Sequence, residues 1–496
     1  MISHIIDFDA LLRQLLYDPQ NPLLFNNGFF VYFFFVFILL YYLFREYYIA
    51  RAVILSVFSL YFFYKASGSF VLLVIVSAVV DYVLSNFIYR QNRTLVKRLL
   101  LILSIVINLG LLFYFKYTNF FISISNDFFG SNIHPLNIVL PIAISFYTFE
   151  NLSYTIDVYQ GKIEPENNFL NYLLFLSFFP KLVMGPIVRA SDFIPQLKRP
   201  YYVGKDDYAE GLYLIISGLF KKVVISDYIS VNFVDYVFGD PSLHTGLECL
   251  IAVYGYAMVI YCDFSGYSDV AIGIAKWLGI TIPPNFQSPY ASVSITDFWR
   301  RWHISLSSWL RDYLYIPLGG NRYGKVRTHA NLIVTMLLGG FWHGASLNFI
   351  LWGALHGFGL AFNKIWSGFK ANHSFSFPLP SVTRLISVLL TFHFVCFGWI
   401  FFKASSFDIA FRMLNQIVYN FSFDGIMPFF LNYYQVLAMI SLGFFLHMLP
   451  ANVKDVVKSR LESMPVLVGV TVFLMFVSVY AYYKTTEPIM PIYLQF

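Results

Sequence analysis

Two histidines define the chemistry open to this chain. His343 lies in Leu337-Leu338-Gly339-Gly340-Phe341-Trp342-His343-Gly344-Ala345, a stretch apolar enough for a bilayer, and His303 lies forty residues earlier, in Phe298-Trp299-Arg300-Arg301-Trp302-His303. An ionisable side chain at membrane depth is destabilising unless it is neutral, paired or beside water, so by default it marks a functional site. Desolvation keeps an imidazole neutral, and a neutral imidazole can accept a proton at physiological pH. A general base for a hydroxyl nucleophile needs that property. A histidine hydrogen-bonded inside a packed bundle is the competing reading of His343. His356 and His393 have equally apolar neighbours, and position alone does not separate them from it.

Residues 294–327 are the densest feature. Ser294 or Thr296 can cap a helix that begins at Asp297, whose carboxylate suits the first turn. On one continuous helix Trp299, Arg300, His303, Ser307 and Arg311 share a face, and Pro317-Leu318-Gly319-Gly320-Asn321 ends it. Two readings stay open for this stripe. It is an interfacial helix anchored by Trp and Arg at the headgroups, or a cytoplasm-facing vestibule in which Arg300, Arg301 and Arg311 receive an anionic carrier such as a phosphopantetheine-bearing donor. Acids also sit beside apolar segments: Asp263 and Asp269 in Tyr261-Cys262-Asp263-Phe264-Ser265-Gly266-Tyr267-Ser268-Asp269, and Glu150 and Asp157 around Asn151-Leu152-Ser153-Tyr154. Such acids need partners, with Arg189, Arg300 and Arg311 available, and a structural network outweighs direct catalysis for them.

The elements that must position these groups are helices in lipid. The chain has 496 residues, 58% hydrophobic, 20% aromatic and 12% charged, against about 25% charged in soluble domains. Bilayer-length apolar runs cover 28–44, 70–89, 99–116, 385–402, 428–448 and 464–483, and shorter or interrupted ones fall at 51–64, 136–149, 169–189, 211–225, 250–262, 331–343 and 346–363. The expected architecture is an all-α polytopic membrane protein with roughly eleven spanning helices plus re-entrant and interfacial pieces, forming one transmembrane domain over 1–496. The run from Phe179 through Pro180 and Pro186 to Arg189 reads as a broken helix shaping a cavity wall. The first residues, with Ile5, Phe8, Leu12, Leu15 and Leu16 at helical spacing beside Asp7, Asp9 and Asp18, predict an external interfacial helix within 1–27 rather than a cleavable signal. Arg45 and Arg51 flank the first loop, Arg90, Arg93, Lys97 and Arg98 crowd the third, and Lys454, Lys458 and Arg460 precede the last span. The positive-inside rule then places both termini outside.

Several function classes lose support. No Gly-rich phosphate loop, dinucleotide fingerprint, Gly-x-Ser-x-Gly elbow or His-Glu-x-x-His pair occurs. The net charge of +6 sits largely in loops that topology alone makes basic, so it does not call for a nucleic acid. Cys249, Cys262 and Cys396 lie in apolar segments without metal-like spacing and read as buried hydrophobes. No metal or bound cofactor is called for.

The order Asp297-Phe298-Trp299-Arg300-Arg301-Trp302-His303, then Arg311-Asp312-Tyr313-Leu314-Tyr315-Ile316-Pro317-Leu318-Gly319-Gly320-Asn321-Arg322, then Gly340-Phe341-Trp342-His343-Gly344, resembles the membrane-bound O-acyltransferase (MBOAT) family. The likeness runs over roughly 140–360. It is greatest to the bacterial branch of alginate O-acetylation proteins, whose relatives are peptidoglycan O-acetyltransferases and teichoic-acid D-alanyl transfer proteins. The resemblance implies a ring of helices around a thinned centre in the bacterial inner membrane. There a cytoplasmic acyl thioester, acetyl-CoA or an acylated carrier protein, meets an acceptor from the outer face. It implies His343 as the principal catalytic residue and His303 as the second signature histidine, nearer the donor. The tail 484–496, ending Pro488-Ile489-Met490-Pro491-Ile492-Tyr493-Leu494-Gln495-Phe496, is similar to the carboxyl-terminal tyrosine motif of this branch, which implies Tyr493 as a transient acyl acceptor; an interfacial tyrosine anchor is the alternative. The acceptor polymer, an alginate-like exopolysaccharide or peptidoglycan, would be held by an extracytoplasmic acetyltransferase or esterase-like partner, since this chain offers little extramembrane surface. Membrane lipids, and a cytoplasmic acyl carrier where one is the donor, complete the expected partners. A lipid-acylating member of the family, and a transporter or flippase of a lipid-linked sugar, are the competing functions.

Overall fold

Lipid offers backbone amides no hydrogen-bond partner, so apolar segments close their own hydrogen bonds as helices. The computed structural model describes residues 13–373, 380–464, 466–484 and 489–494, and every regular element among them is helical. Five helices among the described residues are long and apolar enough to cross a membrane: Tyr48–Arg90, Thr94–Phe129, Gly246–Trp277, Pro380–Lys403 and Ile426–Met448. Shorter apolar helices include Gly28–Leu43. The chain is a multi-pass membrane protein. Gly246–Trp277 is an inner helix, with 72% of its apolar window buried against 17% for Thr94–Phe129. Residues 1–12, which carry most of the expected amino-terminal helix, lie outside the described residues; only Arg13–Leu15 continues as helix, and Leu16 to Asn27 is turn and coil.

The chain forms two compact units. The first comprises residues to Tyr208 with Ile274–Ile282. Its core is aromatic, with Phe179 against Phe25, Phe37, Phe58 and Phe62. The broken segment at Pro180 is therefore buried in this core. Asp81 accepts hydrogen bonds from Ser104, Asn108 (2.6 Å) and Thr155 (3.0 Å), joining three helices. Glu150 pairs with Lys181 and accepts from the Val188 amide, and Asp157 pairs with Lys162. Apolar side chains gain little by leaving lipid for one another, so such polar ties and close packing hold helices together.

The second unit, Ala209–Gly273 with Pro283–Phe496, contains both signature histidines. Helix Gly324–His343 packs along Leu347–His373. Gly340 and Gly353 face each other at their crossing: a Cβ on Gly340 would stand 2.3 Å from the Phe349 carbonyl oxygen, and one on Gly353 2.4 Å from that of Met336. Only glycine permits this approach. The three cysteines are buried and unbridged.

Candidate active site

The single helix expected through His303 does not form. Helix Ile295–Arg301, capped by Ser294, stops at Trp302, and a second helix begins at Ile304. Between them His303 holds φ 43° and ψ 55°, the left-handed region that costs a non-glycine residue roughly 1–2 kcal/mol. Asn285 holds this break from outside the helices. Its backbone oxygen accepts from the Ile304 amide at 3.0 Å, and its side-chain oxygen accepts from the Ser305 amide at 3.1 Å and hydroxyl at 3.0 Å. The stripe of shared residues is split accordingly: His303 is fully buried, while Arg300 and Arg311 are exposed. Arg301 bonds Asp297 at 2.9 Å and Arg311 bonds Asp312 at 2.8 Å.

The same asparagine sets the His303 tautomer. A backbone N–H can only donate, so the Ser305 amide identifies the atom facing it as the Asn285 oxygen. His303 Nδ1 lies 3.3 Å from that oxygen and 3.5 Å from the Ser305 hydroxyl; an Nδ1–H donating to the oxygen leaves Nε2 as a lone pair. Nε2 has no hydrogen-bond partner among the described residues. A buried, unsatisfied acceptor of this kind calls for an explanation such as a substrate or catalytic proton.

His343 is the last residue of its helix and is 3% exposed, so it faces protein rather than lipid. Gly344 follows in extended conformation, where a Cβ would stand 2.1 Å from the Phe349 ring. The imidazole is walled by Trp342, Trp352 and Phe402, with ring centres 5.0, 5.0 and 5.4 Å away. Tyr493 completes the group. It lies in the short turn Ile492–Leu494, buried, with its ring 5.4 Å from His343, 6.0 Å from His303 and 4.3 Å from Phe264. The structure thus brings His303, His343 and Tyr493 together from segments forty and 150 residues apart. Pro488, Gln495 and Phe496 lie outside the described residues.

The other histidines separate by environment. His393 is exposed and bonds the Tyr254 hydroxyl at 2.9 Å. His356 is buried, accepts from Trp299 Nε1 at 3.2 Å and packs on Trp352, one ring behind His343. Glu150, Asp157, Asp263 and Asp269 each have a lysine partner, whereas the sequence offered Arg189, Arg300 and Arg311 as available cations. Lys222 bonds Asp263 at 2.5 Å and Asp227 at 2.7 Å, and Lys221 pairs with Asp269. Among the described residues no three His, Cys, Asp or Glu side chains gather to hold a metal ion.

Sequence reasoning missed Asn285, Lys222, Trp352 and Phe402. Lys221-Lys222 inside an apolar run was a readable signal. Asn285, after Pro283-Pro284, offered only an isolated polar residue in an apolar context.

Comparison with known proteins bears directly on this geometry. A model of the membrane-bound O-acyltransferase family matches residues 165–407, which include both histidines, Asn285 and Asp263 and stop short of Tyr493. A peptidoglycan O-acetyltransferase of Helicobacter pylori is 38% identical over 386 residues, 73% of this chain and 72% of that protein. A Pseudomonas aeruginosa protein named "Probable alginate O-acetylase AlgI" is 42% identical over 321 residues, 64% of this chain and 60% of its own length. A teichoic acid D-alanyltransferase of Bacillus subtilis is 29% identical over 286 residues, 55% of this chain and 71% of that protein. The chain therefore belongs to the membrane-bound O-acyltransferase family and is an O-acyltransferase.

Proposed function

We propose that this enzyme carries an acetyl group from a cytoplasmic thioester to the outer face of the bacterial inner membrane, for O-acetylation of an envelope polysaccharide. The names of the peptidoglycan and alginate relatives supply the polymer class. The observation that supports the reading is the Tyr493 ring lying 6.0 Å from the His303 ring and 5.4 Å from that of His343. His343 takes the proton from the Tyr493 hydroxyl as its oxygen attacks the thioester carbonyl. The C–S bond breaks, the thiol leaves with that proton, and an acyl-tyrosine ester remains. His303, its Nε2 lone pair fixed by Asn285, stands on the donor side. A polymer hydroxyl presented by an extracytoplasmic transferase partner then attacks the ester, releasing the acetylated sugar and restoring the tyrosine. Arg300, Arg301 and Arg311 form the donor vestibule, for acetyl-CoA or an acylated carrier. The chain acts as one transmembrane domain with both termini outside, following its Lys and Arg distribution.

The test uses purified protein in proteoliposomes with radiolabelled acetyl-CoA, followed by mass spectrometry of the carboxyl-terminal peptide. An adduct at Tyr493 that disappears in Tyr493→Phe and in His343→Ala is expected. An adduct that persists in Tyr493→Phe sinks the relay, and normal turnover in His343→Ala removes the central base. No acyl turnover with any donor favours transport.

A further inference from the structure

We infer that Asp263 is the positioning residue that latches the carboxyl-terminal segment into the catalytic centre, with Lys222 as its brace. The inference deepens the relay proposed above and rests on that reading for its role in turnover. Asp263 is 1% exposed, and both of its oxygens are committed. Oδ1 accepts from Lys222 Nζ at 2.5 Å, and Oδ2 accepts from the Ile492 amide at 2.8 Å. The bonded amide belongs to the residue immediately before Tyr493. Lys222 is in turn held by Asp227 at 2.7 Å, so its ammonium sits between two buried carboxylates. One ammonium shared by two buried carboxyl groups reaches only one oxygen of Asp263, and the Ile492 N–H supplies the donor for the other. Hydrogen bonds to a charged acceptor are the strong ones, and removing one partner leaves the other buried and uncompensated.

The neighbouring residue completes the latch. Phe264 places its ring 4.3 Å from Tyr493 and 4.6 Å from His303. Asp263 thus fixes the backbone of the tail while Phe264 fixes the tyrosine ring against one of the two histidines. The latch adds a backbone tie to the ring contacts of Tyr493, at a position that acyl transfer requires to within a fraction of an ångström. The carboxylate is therefore used to hold an acceptor in place, with no proton to move.

Hydrogen–deuterium exchange of the full chain in detergent tests this directly, comparing wild type with Asp263→Ala, Asp263→Asn and Tyr493→Phe. In the wild type the peptide containing Ile492 exchanges slowly. In Asp263→Ala it exchanges roughly tenfold faster or more, the size expected for losing one charge-assisted hydrogen bond. Helix Gly246–Trp277 keeps its protection, Asp263→Asn falls between, and Tyr493→Phe retains the slow tail. A tail as protected in Asp263→Ala as in wild type overturns the latch. Loss of protection that spreads through helix Gly246–Trp277 overturns it as well, because Asp263 is then a support of the fold. The acyl adduct on Tyr493 is measured on the same samples. A protected wild-type tail that never acquires an adduct refutes the relay and leaves the latch standing, whereas an adduct formed at full rate in an unlatched Asp263→Ala tail refutes the positioning role.

Discussion

Substituting Gly340 by alanine perturbs catalysis without touching a reacting group, and its size can be worked from the structure. The added Cβ would stand 2.3 Å from the Phe349 carbonyl oxygen, whereas real Cβ contacts essentially never fall below 3.0 Å, so helices Gly324–His343 and Leu347–His373 must part locally by at least 0.7 Å. His343 lies three residues beyond Gly340 at the end of one helix, and Trp352, whose ring meets His343 edge to face at 5.0 Å, lies on the other. A displacement near 1 Å at a catalytic group lowers rate by about 10²-fold, and overpacking destabilises by about 1–3 kcal/mol. We expect turnover of acetyl-CoA in proteoliposomes to fall about 10–100-fold, with a lower melting temperature in detergent. Two internal controls grade the effect. A Cβ at Gly339 meets only the flexible tip of Leu310 at 3.1 Å, and one at Gly368 meets nothing within 4 Å. Gly339→Ala should therefore be mild, and Gly368→Ala neutral or stabilising by about 0.5–1 kcal/mol. Wild-type turnover in folded Gly340→Ala would refute the placement of His343 by this crossing.

Two further outcomes follow from the site. Asn285→Leu removes the oxygen that accepts from the Nδ1–H of His303, so kcat should drop by on the order of 10²-fold, below the ~10⁴ lost when a triad histidine loses its orienting carboxylate; Asn285→Asp, which keeps the oxygen, should retain more activity, and the reverse order in steady-state kinetics contradicts the tautomer assignment. Arg300 is exposed, whereas Arg301 and Arg311 are tied to Asp297 and Asp312, so Arg300→Glu should raise the KM for acetyl-CoA several-fold in a salt-dependent manner with kcat unchanged; an unmoved KM favours the headgroup-anchoring reading of this helix.

How far the sequence carried these conclusions depended on the range of the interaction involved. The fold class was readable because lipid permits few alternatives to apolar helices, and the Ser294 cap was readable because capping acts over three residues. The break at His303 was not. The local pattern through Trp299, Arg300 and Ser307 favours a continuous helix, and the bonds that reverse it come from Asn285, eighteen residues away. Propensity was overridden by a tertiary contact with no periodic trace. The pairing of acids failed for a related reason. Arg189, Arg300 and Arg311 were available in composition, but Asp263 is met by an ammonium that sits between two carboxylates, and that is visible only once Lys222, Asp227 and Asp263 are neighbours.

The tyrosine shows where resemblance and physics each stop. Spacing cannot place Tyr493, 150 residues beyond His343, and the matched family region ends at residue 407. The resemblance suggested an acceptor but supplied no means of holding it. The structure places Tyr493 one residue beyond an amide fixed by a buried carboxylate, and His303 beside a break fixed by a buried asparagine. Tyr493 and His303 are thus each held through a bond from a buried polar side chain to the adjacent backbone. In lipid such a side chain is expensive to bury unless its bonds are filled. The oxygens of Asp263 and Asn285 accept from the backbone of the segments that carry Tyr493 and His303, so the same bonds that satisfy these oxygens at depth also hold those two segments in place.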